Sequence, residues 1–273
     1  MPSYVIAGAS RGIGFEFLRQ LSKDPAAVVI GLVRNTAATE KKVSDEINRP
    51  NVHIVHGDLA DYESLKKAAE STSKITGGKV DYLVANGAFL STYSSYKTFG
   101  DMASDPKGME DDFLMSFKTN TIGVIHLFNL FLPLIRKGDA KKVVAISTGV
   151  AEFEMVFDLK LDMAAPYAMS KAAMNLAVTK FHAEYHNEGI LFMSISPGVV
   201  DTQGTNDTSK MSERERENLN KMFSAFTKYA PHFKGPITPE ESVNAVMGVV
   251  NNASVKGGNG GTFVSHLGTR QWI

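Results

Sequence analysis

Cysteine is absent from the 273 residues of this sequence. Its absence excludes disulfide bonds, thiolate zinc sites and a cysteine nucleophile. The 29 basic and 29 acidic residues leave a formal net charge of zero, which gives no sign of a nucleic-acid partner. No apolar run approaches the roughly 20 residues that a membrane span needs, and the amino terminus does not resemble a signal peptide. We therefore expect a cytoplasmic protein that binds neither nucleic acid nor membrane.

Short runs rich in Val and Ile alternate with longer amphipathic segments along the chain. The runs predict strands at 3–7, 28–33, 52–56, 80–85, 142–147, 191–196 and 262–264. The intervening segments predict helices at 12–22, 36–47, 61–75, 109–137, 166–187 and 238–252. This alternation predicts right-handed βαβ units. The expected fold is one α/β domain over 1–273, a doubly wound parallel sheet of about seven strands with helices on both faces.

Glycines cluster where the first predicted strand meets the first predicted helix. At such a junction, glycine lets the backbone approach a pyrophosphate closely, and the helix N-terminus offers N–H groups and the positive end of its dipole. The spacing is Gly-x3-Gly-x-Gly, which differs from the commoner Gly-x-Gly-x2-Gly. The position of the segment predicts a dinucleotide site formed by Gly8, Ser10, Arg11, Gly12, Ile13 and Gly14.

The end of the second predicted strand indicates which dinucleotide is bound. NAD enzymes usually place a carboxylate here for the ribose hydroxyls, whereas this chain has Arg34 followed by Asn35. The planar guanidinium of Arg34 can bind a 2′-phosphate, and Arg11 can add a second cation. The alternative is two surface arginines without a ligand. We predict NADP(H) as the cofactor. Asp58, which precedes Leu59 after the third strand, is either a hydrogen-bond acceptor for adenine or the cap of a turn.

Tyr167 and Lys171 begin a predicted helix directly after Pro166, four residues apart and therefore on one face. A free tyrosine has a pKa near 10. A nearby ammonium and a cationic nicotinamide both favour the phenolate and are expected to lower that pKa towards neutral pH. The alternative interpretation is an ordinary surface pair at helical spacing.

The order of these motifs resembles that of the short-chain dehydrogenase/reductase family, in particular its fungal ketoreductases and carbonyl reductases. The resemblance covers nearly the whole chain and implies a Rossmann-like fold. It also implies that Tyr167 is the general acid, that Lys171 binds the nicotinamide ribose and lowers the tyrosine pKa, and that Asn120 holds a water. A mid-helix Asn also predicts a local distortion. The cofactor contacts that it implies are Asp58, Leu59, Asn86, Gly87, Tyr167, Lys171, Pro197, Gly198, Val200 and Thr202.

The chain departs from the family pattern at two places. In the family, the serine that binds the reacting carbonyl is the second residue of a Ser-Ser pair after the fifth strand. Here the pair is Ser147-Thr148, and we keep both as candidates with a lean to Thr148 by register. Either hydroxyl can donate the same hydrogen bond. Ala7 and Ala85 stand where relatives carry polar residues that tie the first and fourth strands together. We interpret the paired alanines as a compensated loss, because removing both partners of a buried contact can be nearly neutral.

Aromatic and Met residues are common in three segments expected beside the site, at about 86–108, 152–163 and 200–237. They favour a hydrophobic, aromatic or polyketide-like ketone or aldehyde as substrate, although each residue could equally pack its own loop.

The predicted function is NADPH-dependent carbonyl reduction; the alternative is an NADPH-binding redox sensor with little turnover. His182 and His186 lack a third ligand, so no metal is expected. The resemblance also implies a homodimer or homotetramer. The aromatic and Met residues of the three segments expected beside the site are Phe89, Tyr93, Tyr96, Phe99, Phe153, Met155, Phe157, Met163, Met211, Met222, Phe223, Phe226, Tyr229 and Phe233.

Overall fold

The computed structural model describes residues 1–202 and 211–273. Its strands form one seven-stranded sheet in the order β3-β2-β1-β4-β5-β6-β7. Every neighbouring pair is parallel, which confirms the predicted α/β fold class. The strands are β1 (Ser3–Ala7), β2 (Val28–Val33), β3 (Val52–His56), β4 (Tyr82–Ala85), β5 (Lys142–Ile146), β6 (Leu191–Ser196) and β7 (Phe263–Ser265).

Helices cover both faces of this sheet. No helix within 1–202 or 211–273 is long and apolar enough to cross a membrane. The α-helices are α1 (Gly12–Leu21), α2 (Thr36–Glu46), α3 (Tyr62–Thr76), α4 (Phe99–Met102), α5 (Pro106–Phe117), α6 (Gly123–Ile135), α7 (Phe153–Leu159), α8 (Ala165–Tyr185), α9 (Glu213–Tyr229) and α10 (Pro239–Asn252).

The segments at about 86–108, 152–163 and 200–237 carry no predicted helix, but each of them contains one, so the prediction was wrong there. Region 86–108 contains α4 and the start of α5, region 152–163 contains α7, and region 200–237 contains α9, while 203–210 lie outside the described residues. Ser212 starts α9 through a capping box in which Ser212 and Glu215 bond each other's backbone N–H. The charged first half of α9 concealed an apolar face that becomes evident only against its neighbours in the fold.

Alternate residues of each strand enter opposite layers of the core. Val5 and Ala7 lie in a cluster with buried side chains of α3, α6 and α8, whereas Ile6 lies in a second cluster with α1 and α10. A parallel sheet covered on both faces requires this apolar alternation, and it explains the continuous apolar runs in the sequence. A smaller third cluster joins α7, α9 and the last two residues, Trp272 and Ile273.

The paired alanines lie directly opposite each other, Ala7 on β1 and Ala85 on β4. Both are buried. The backbone N–H groups of Asn86 and Gly87 both donate to the carbonyl of Ala7, at 3.1 and 2.8 Å. The side-chain amide of Asn86 donates to the carbonyl of Gly8 at 2.9 Å. These bonds tie the two strands together where the alanine side chains offer no polar group, and the compensated loss stays a hypothesis.

Candidate active site

The glycine segment after β1 packs directly against the turn after β4. Gly8 has φ +81°, and a Cβ built on it would lie 2.3 Å from the Cα of Gly87. A Cβ on Gly14 would lie 2.0 Å from the carbonyl oxygen of Gly8. Thr202, after β6, reaches the same place, because a Cβ on Gly12 would lie 3.1 Å from its side chain. The carboxyl ends of three strands therefore meet here and leave room only for glycine.

The backbone N–H groups in the first turn of α1 lie beside these glycines and receive no side-chain cap from Arg11. Its N-cap residue, Arg11, is extended and provides no side-chain cap, and the first turn contains no acidic residue. Ser10 and Arg11 are exposed, and Ile13 is anchored against the second core cluster. Free N–H groups at the positive end of a helix dipole are suited to a pyrophosphate. The residues present therefore fit a dinucleotide.

Two guanidinium groups lie exposed near the ends of β1 and β2. Arg34 directly follows β2 and Arg11 begins α1. Neither forms an ion pair with any residue in 1–202 or 211–273, so both remain available to an anion. Asp58, by contrast, accepts a hydrogen bond from the N–H of Ala60 at 2.9 Å, which is the turn-capping role of our two alternatives. The buried Leu59 packs beneath Gly87, where a Cβ on the glycine would lie 3.1 Å from it.

Asn120 lies in a π turn, Lys118–Ile122, that divides the single helix predicted at 109–137. The predicted distortion is therefore present. The fully buried side chain of Asn120 accepts from the N–H of Phe89 at 2.7 Å and donates to its carbonyl at 2.9 Å. It also donates to Ser170 Oγ at 3.0 Å, and that hydroxyl donates to the carbonyl of Tyr167 at 2.7 Å. The amide has both N–H groups engaged, so its side chain positions Tyr167 and has only an acceptor lone pair left for a water.

Lys171 is sealed in the interior, one helical turn beyond Tyr167. Its side chain is 1% exposed, and Nζ donates to the carbonyl of Ile146, the last residue of β5, at 2.7 Å. Burial lowers the pKa of Lys171 to about 7, because the charged form loses its hydration. The same cause raises the pKa of Tyr167 to about 12. In the protein by itself, desolvation sets the direction of the tyrosine pKa shift and the Lys171 amine is directed to a backbone carbonyl, so the lowering of that pKa by Lys171 together with a bound nicotinamide stays a prediction.

Ser147 and Thr148 follow β5 and differ in their access to the crevice. Ser147 is 3% exposed, and its buried hydroxyl has no hydrogen-bond partner among the described residues. Thr148 is half-buried and extended, at the start of a short 3-10 turn, Gly149–Ala151. Thr148 is therefore the more accessible of the two residues, and its contact with a substrate carbonyl stays a prediction.

The turn after β6 passes over the C-terminal segment. The carbonyl of the buried Pro197 accepts from the hydroxyl of Ser242 on α10 at 2.8 Å. Gly198 has φ +84°, and a Cβ on it would lie 2.9 Å from the ring of His266. Val200 then forms a parallel bridge with Ile237. These contacts hold Pro197–Thr202 beside the glycine segment, as a nicotinamide-binding turn would require.

The aromatic and Met residues expected around a substrate have different environments. Met155 and Phe226 are buried in the third cluster, where Met222, Phe223, Tyr229 and Phe233 pack against it, so these mainly pack the segments themselves. Phe99 is exposed and stacks on Phe113 at 6.3 Å. The remaining exposed pair, on α7, is Phe153 and Phe157.

Comparison with known proteins places this geometry in a family. The family model for short chain dehydrogenases matches residues 3–213. Over the full length of both chains, the sequence is 50% identical to short chain dehydrogenase virK of Hypocrea virens. It is 46% identical to short-chain dehydrogenase/reductase iacC of Pestalotiopsis fici, also over the full length of both. The chain belongs to the short-chain dehydrogenase/reductase family.

Solved structures agree with this assignment at the level of the fold. The short-chain dehydrogenase/reductase chain superimposes on the carbonyl reductase Sniffer of D. melanogaster with a TM-score of 0.77, at 19% identity and 98% coverage of each chain. It superimposes on the carbonyl reductase from chicken fatty liver with a TM-score of 0.75, at 24% identity and 98% coverage of each. The resemblance seen in the sequence is confirmed, and the chain is an oxidoreductase of a family that uses nicotinamide cofactors.

Sequence reasoning missed several residues that this short-chain dehydrogenase/reductase uses to build the site. Ser170 links Asn120 to Tyr167, and the backbone of Ile146 binds Lys171. His266 and Trp272 support the turns after β6 and β5. The position of Ser170 between Tyr167 and Lys171 was a usable signal, whereas the other contacts join distant parts of the chain. Within 1–202 and 211–273, no cluster of three His, Asp or Glu residues could hold a metal ion.

The buried lysine predicts a pH-dependent stability. The pKa of Lys171 is about 7 in the folded chain and near its ordinary 10.5 when unfolded, so between these values the unfolded chain binds the extra proton. Stability contributed by this group therefore rises with pH above about 7. We expect Lys171→Met to melt at a higher temperature relative to the wild type at about pH 6 than at about pH 9. Thermal melts of both proteins measure this gap.

Lys66→Met is the matched control, because Lys66 is exposed on α3. Its melting temperature relative to the wild type should not change with pH in the same way. A gap for Lys171→Met that stays constant across this pH range would contradict a lowered lysine pKa in the folded protein.

Proposed function

We propose that this oxidoreductase uses NADPH to reduce a hydrophobic ketone or aldehyde to an alcohol. The observation that carries the proposal is the arrangement of Tyr167 and Lys171 on one face of α8, fixed by Asn120 and Ser170. Burying an ammonium without a carboxylate partner destabilises the folded protein by several kcal/mol, so Lys171 is not placed there for stability. A role towards a bound ligand explains its position.

The choice of NADPH is supported by charge at the ribose end of the crevice. Arg34 and Arg11 are exposed cations without ion-pair partners among the described residues, and no carboxylate follows β2. A 2′-phosphate would gain charge-assisted hydrogen bonds there. The carbonyl reductase from chicken fatty liver is an NADPH-bound structure, which gives the same choice a precedent on this fold. In our proposal, Gly8, Gly12 and Gly14 hold the pyrophosphate, and Pro197–Thr202 hold the nicotinamide end.

The raised pKa of Tyr167 favours carbonyl reduction over alcohol oxidation. Burial raises its pKa to about 12, so the protein by itself keeps the phenol protonated at neutral pH, which is the form a general acid needs. When bound, NADPH would supply a hydride to the carbonyl carbon. Tyr167 would give its proton to the carbonyl oxygen, while the hydroxyl of Thr148 donates a hydrogen bond to that oxygen. Lys171, with a pKa of about 7, can hold or release a proton near neutral pH one turn away.

The apolar surroundings support a hydrophobic substrate. Phe153 and Phe157 are 80% and 62% exposed and stack on each other, on the helix inserted between Thr148 and Tyr167. Exposed aromatic rings beside a crevice favour flat apolar ligands. An aromatic or polyketide-like ketone is therefore our proposed substrate class.

We extend the proposal to a cytoplasmic homodimer or homotetramer that assembles through α5 and α8. Apolar side chains on these helices and the π turn remain exposed, and a second copy of the chain would cover them. They are Leu114, Met115, Ile122, Met169 and Leu176.

Loss of the phenol tests the reaction. Tyr167→Phe should lower kcat for aromatic aldehydes and diketones by about 10²- to 10⁴-fold, since a positioned general acid contributes that much. The decrease in NADPH absorbance measures kcat, and fluorescence titration measures the Kd for NADPH. This Kd should stay within about twofold of the wild-type value, because the phenol is a small part of the cofactor contact.

Tyr185→Phe is the control, because Tyr185 lies at the far end of the same helix. It should keep the wild-type kcat. Persistence of activity in Tyr167→Phe would mean that another acid donates the proton. Tight NADPH binding by the wild type without turnover of any tested carbonyl would instead favour the redox-sensor alternative.

The two candidate hydroxyls can be separated by a pair of near-isosteric changes. Thr148→Val should lower kcat by about 10²-fold, because it removes a donor to the developing oxyanion. Ser147→Ala should leave kcat within about threefold and keep or raise the melting temperature, since its buried hydroxyl is unpaired in the described structure. Steady-state kinetics and thermal melts of both variants measure this. The reverse pattern would assign the carbonyl contact to Ser147.

Arg34 is expected to determine cofactor preference. Arg34→Ala should raise the Kd for NADPH by about 10- to 100-fold, because a charge-assisted contact contributes about 1.5–3 kcal/mol, and should leave the Kd for NADH nearly unchanged. Fluorescence titration with each cofactor measures both values. Lys66→Ala removes an exposed cation elsewhere and should change neither. Equal weakening of NADPH and NADH by Arg34→Ala would refute this assignment.

A further inference from the structure

Trp272 is buried although it lies in a short segment beyond the sheet. It is 4% exposed, and its ring stacks on Phe263 of β7 with centroids 4.4 Å apart. Met155 of α7 and Phe226 of α9 belong to the same cluster. The indole therefore joins the edge of the sheet to the two helices that flank the proposed substrate crevice.

The side chain of Trp272 also presses on the backbone beside the carbonyl-binding hydroxyl. A Cβ built on Gly149 would lie 2.9 Å from the Cβ of Trp272 and 2.9 Å from Met155 Sδ. A contact this close leaves no space for any side chain at position 149. The same Cβ would lie 3.4 Å from Cγ of the Trp272 indole. Gly149 directly follows Thr148, so the Trp272 side chain packs beside the turn that carries the threonine hydroxyl.

Polar contacts hold the rest of this segment in place. The guanidinium of Arg270 pairs with Glu152, just before α7, and with Glu154 at 3.5 Å. The N–H of Ser265 donates to the carbonyl of Thr269 at 2.8 Å. The ring of His266 packs against Gly198 of the proposed nicotinamide-binding turn. Segment 265–273 therefore contacts the Thr148–Gly149 turn after β5 and the Pro197–Thr202 turn after β6. In our proposal these two turns lie on either side of the hydride transfer.

We propose that Trp272 is a positioning residue for the reaction: it fixes the Thr148–Gly149 turn and holds α7 and α9 over the crevice. This inference rests on the proposed function. Its physical basis is that removing a buried indole leaves a cavity into which the turn and the two helices can relax. A displacement of about 1 Å in a catalytic group can lower the rate by about 10²-fold.

The test compares Trp272→Ala and Trp272→Phe with Val250→Ala. Val250 is buried at the end of α10, whose last carbonyls are bound by Lys142 at the opposite end of the strands from the site, so it reports on general loss of packing. Three quantities are measured: kcat and KM for a small aromatic aldehyde, the number of NADPH sites per chain by fluorescence titration, and amide hydrogen exchange.

Trp272→Ala should lower kcat by about tenfold or more, with one NADPH site per chain retained and KM changed by less than about threefold. Trp272→Phe should restore most of kcat, because a ring again fills the space. Amide hydrogen exchange in Trp272→Ala should be faster than in the wild type in 149–159 and 213–230, and unchanged in α3. The proposal is overturned if kcat falls no more than in Val250→Ala, or only in step with the number of NADPH sites.

Failure of the proposed function would look different. If the wild type turns over no carbonyl, the reaction assignment fails, and hydrogen exchange alone then decides whether Trp272 holds the turn. Faster exchange confined to 149–159 and 213–230 in Trp272→Ala would support the inference, and unchanged exchange there would overturn it.

Discussion

The hydrogen bond from Lys171 to the carbonyl of Ile146 is the contact on which the site depends. It holds a buried amine that pairs with no carboxylate among the described residues, and burial lowers the pKa of the lysine to about 7. The first turn of α8, which carries Tyr167, is anchored by a separate set of hydrogen bonds.

The π turn provides that anchor. Asn120 bonds Phe89 and Ser170, and Thr121 donates to the carbonyl of Ser170 at 2.8 Å. One side of the turn thus holds the chain leaving β4, and the other holds the helix that carries Tyr167. In a regular α-helix, the side chains of Asn120 and Thr121 would point about 100° apart around the helix axis. The π turn replaces that regular geometry, and such turns often occur at functional sites. Side chains fixed on such a scaffold lose little freedom when a ligand binds.

Glycine contacts set the other half of the crevice. Gly8 packs against Gly87 and Gly12 packs against the side chain of Thr202, so the ends of β1, β4 and β6 converge where these glycines carry no side chain. In an open parallel sheet, ligands bind at the carboxyl ends of the strands where the strand order reverses. Here β1 lies between β2 and β4, and the order reverses at that point. The sheet topology and the glycine contacts therefore select the same location.

Periodicity and motif order were enough to predict the parallel sheet and the limits of six of its seven strands to within a residue. They also predicted the helical spacing of Tyr167 and Lys171. All of these depend on residues close together in the sequence. Local patterns also predicted a distortion at Asn120. They did not predict α9, since a charged helix resembles a loop until its apolar face has a partner.

Only the tertiary structure decided the direction in which the pKa values of Tyr167 and Lys171 shift, because desolvation depends on how distant segments bury the two groups. It also decided that Thr148 is accessible while Ser147 is buried, and that Trp272 lies against Gly149, 123 positions earlier in the chain. The sequence by itself determined which groups this protein has for chemistry and in what order they occur. Their exposure and charge follow from packing between distant segments, which no local pattern records.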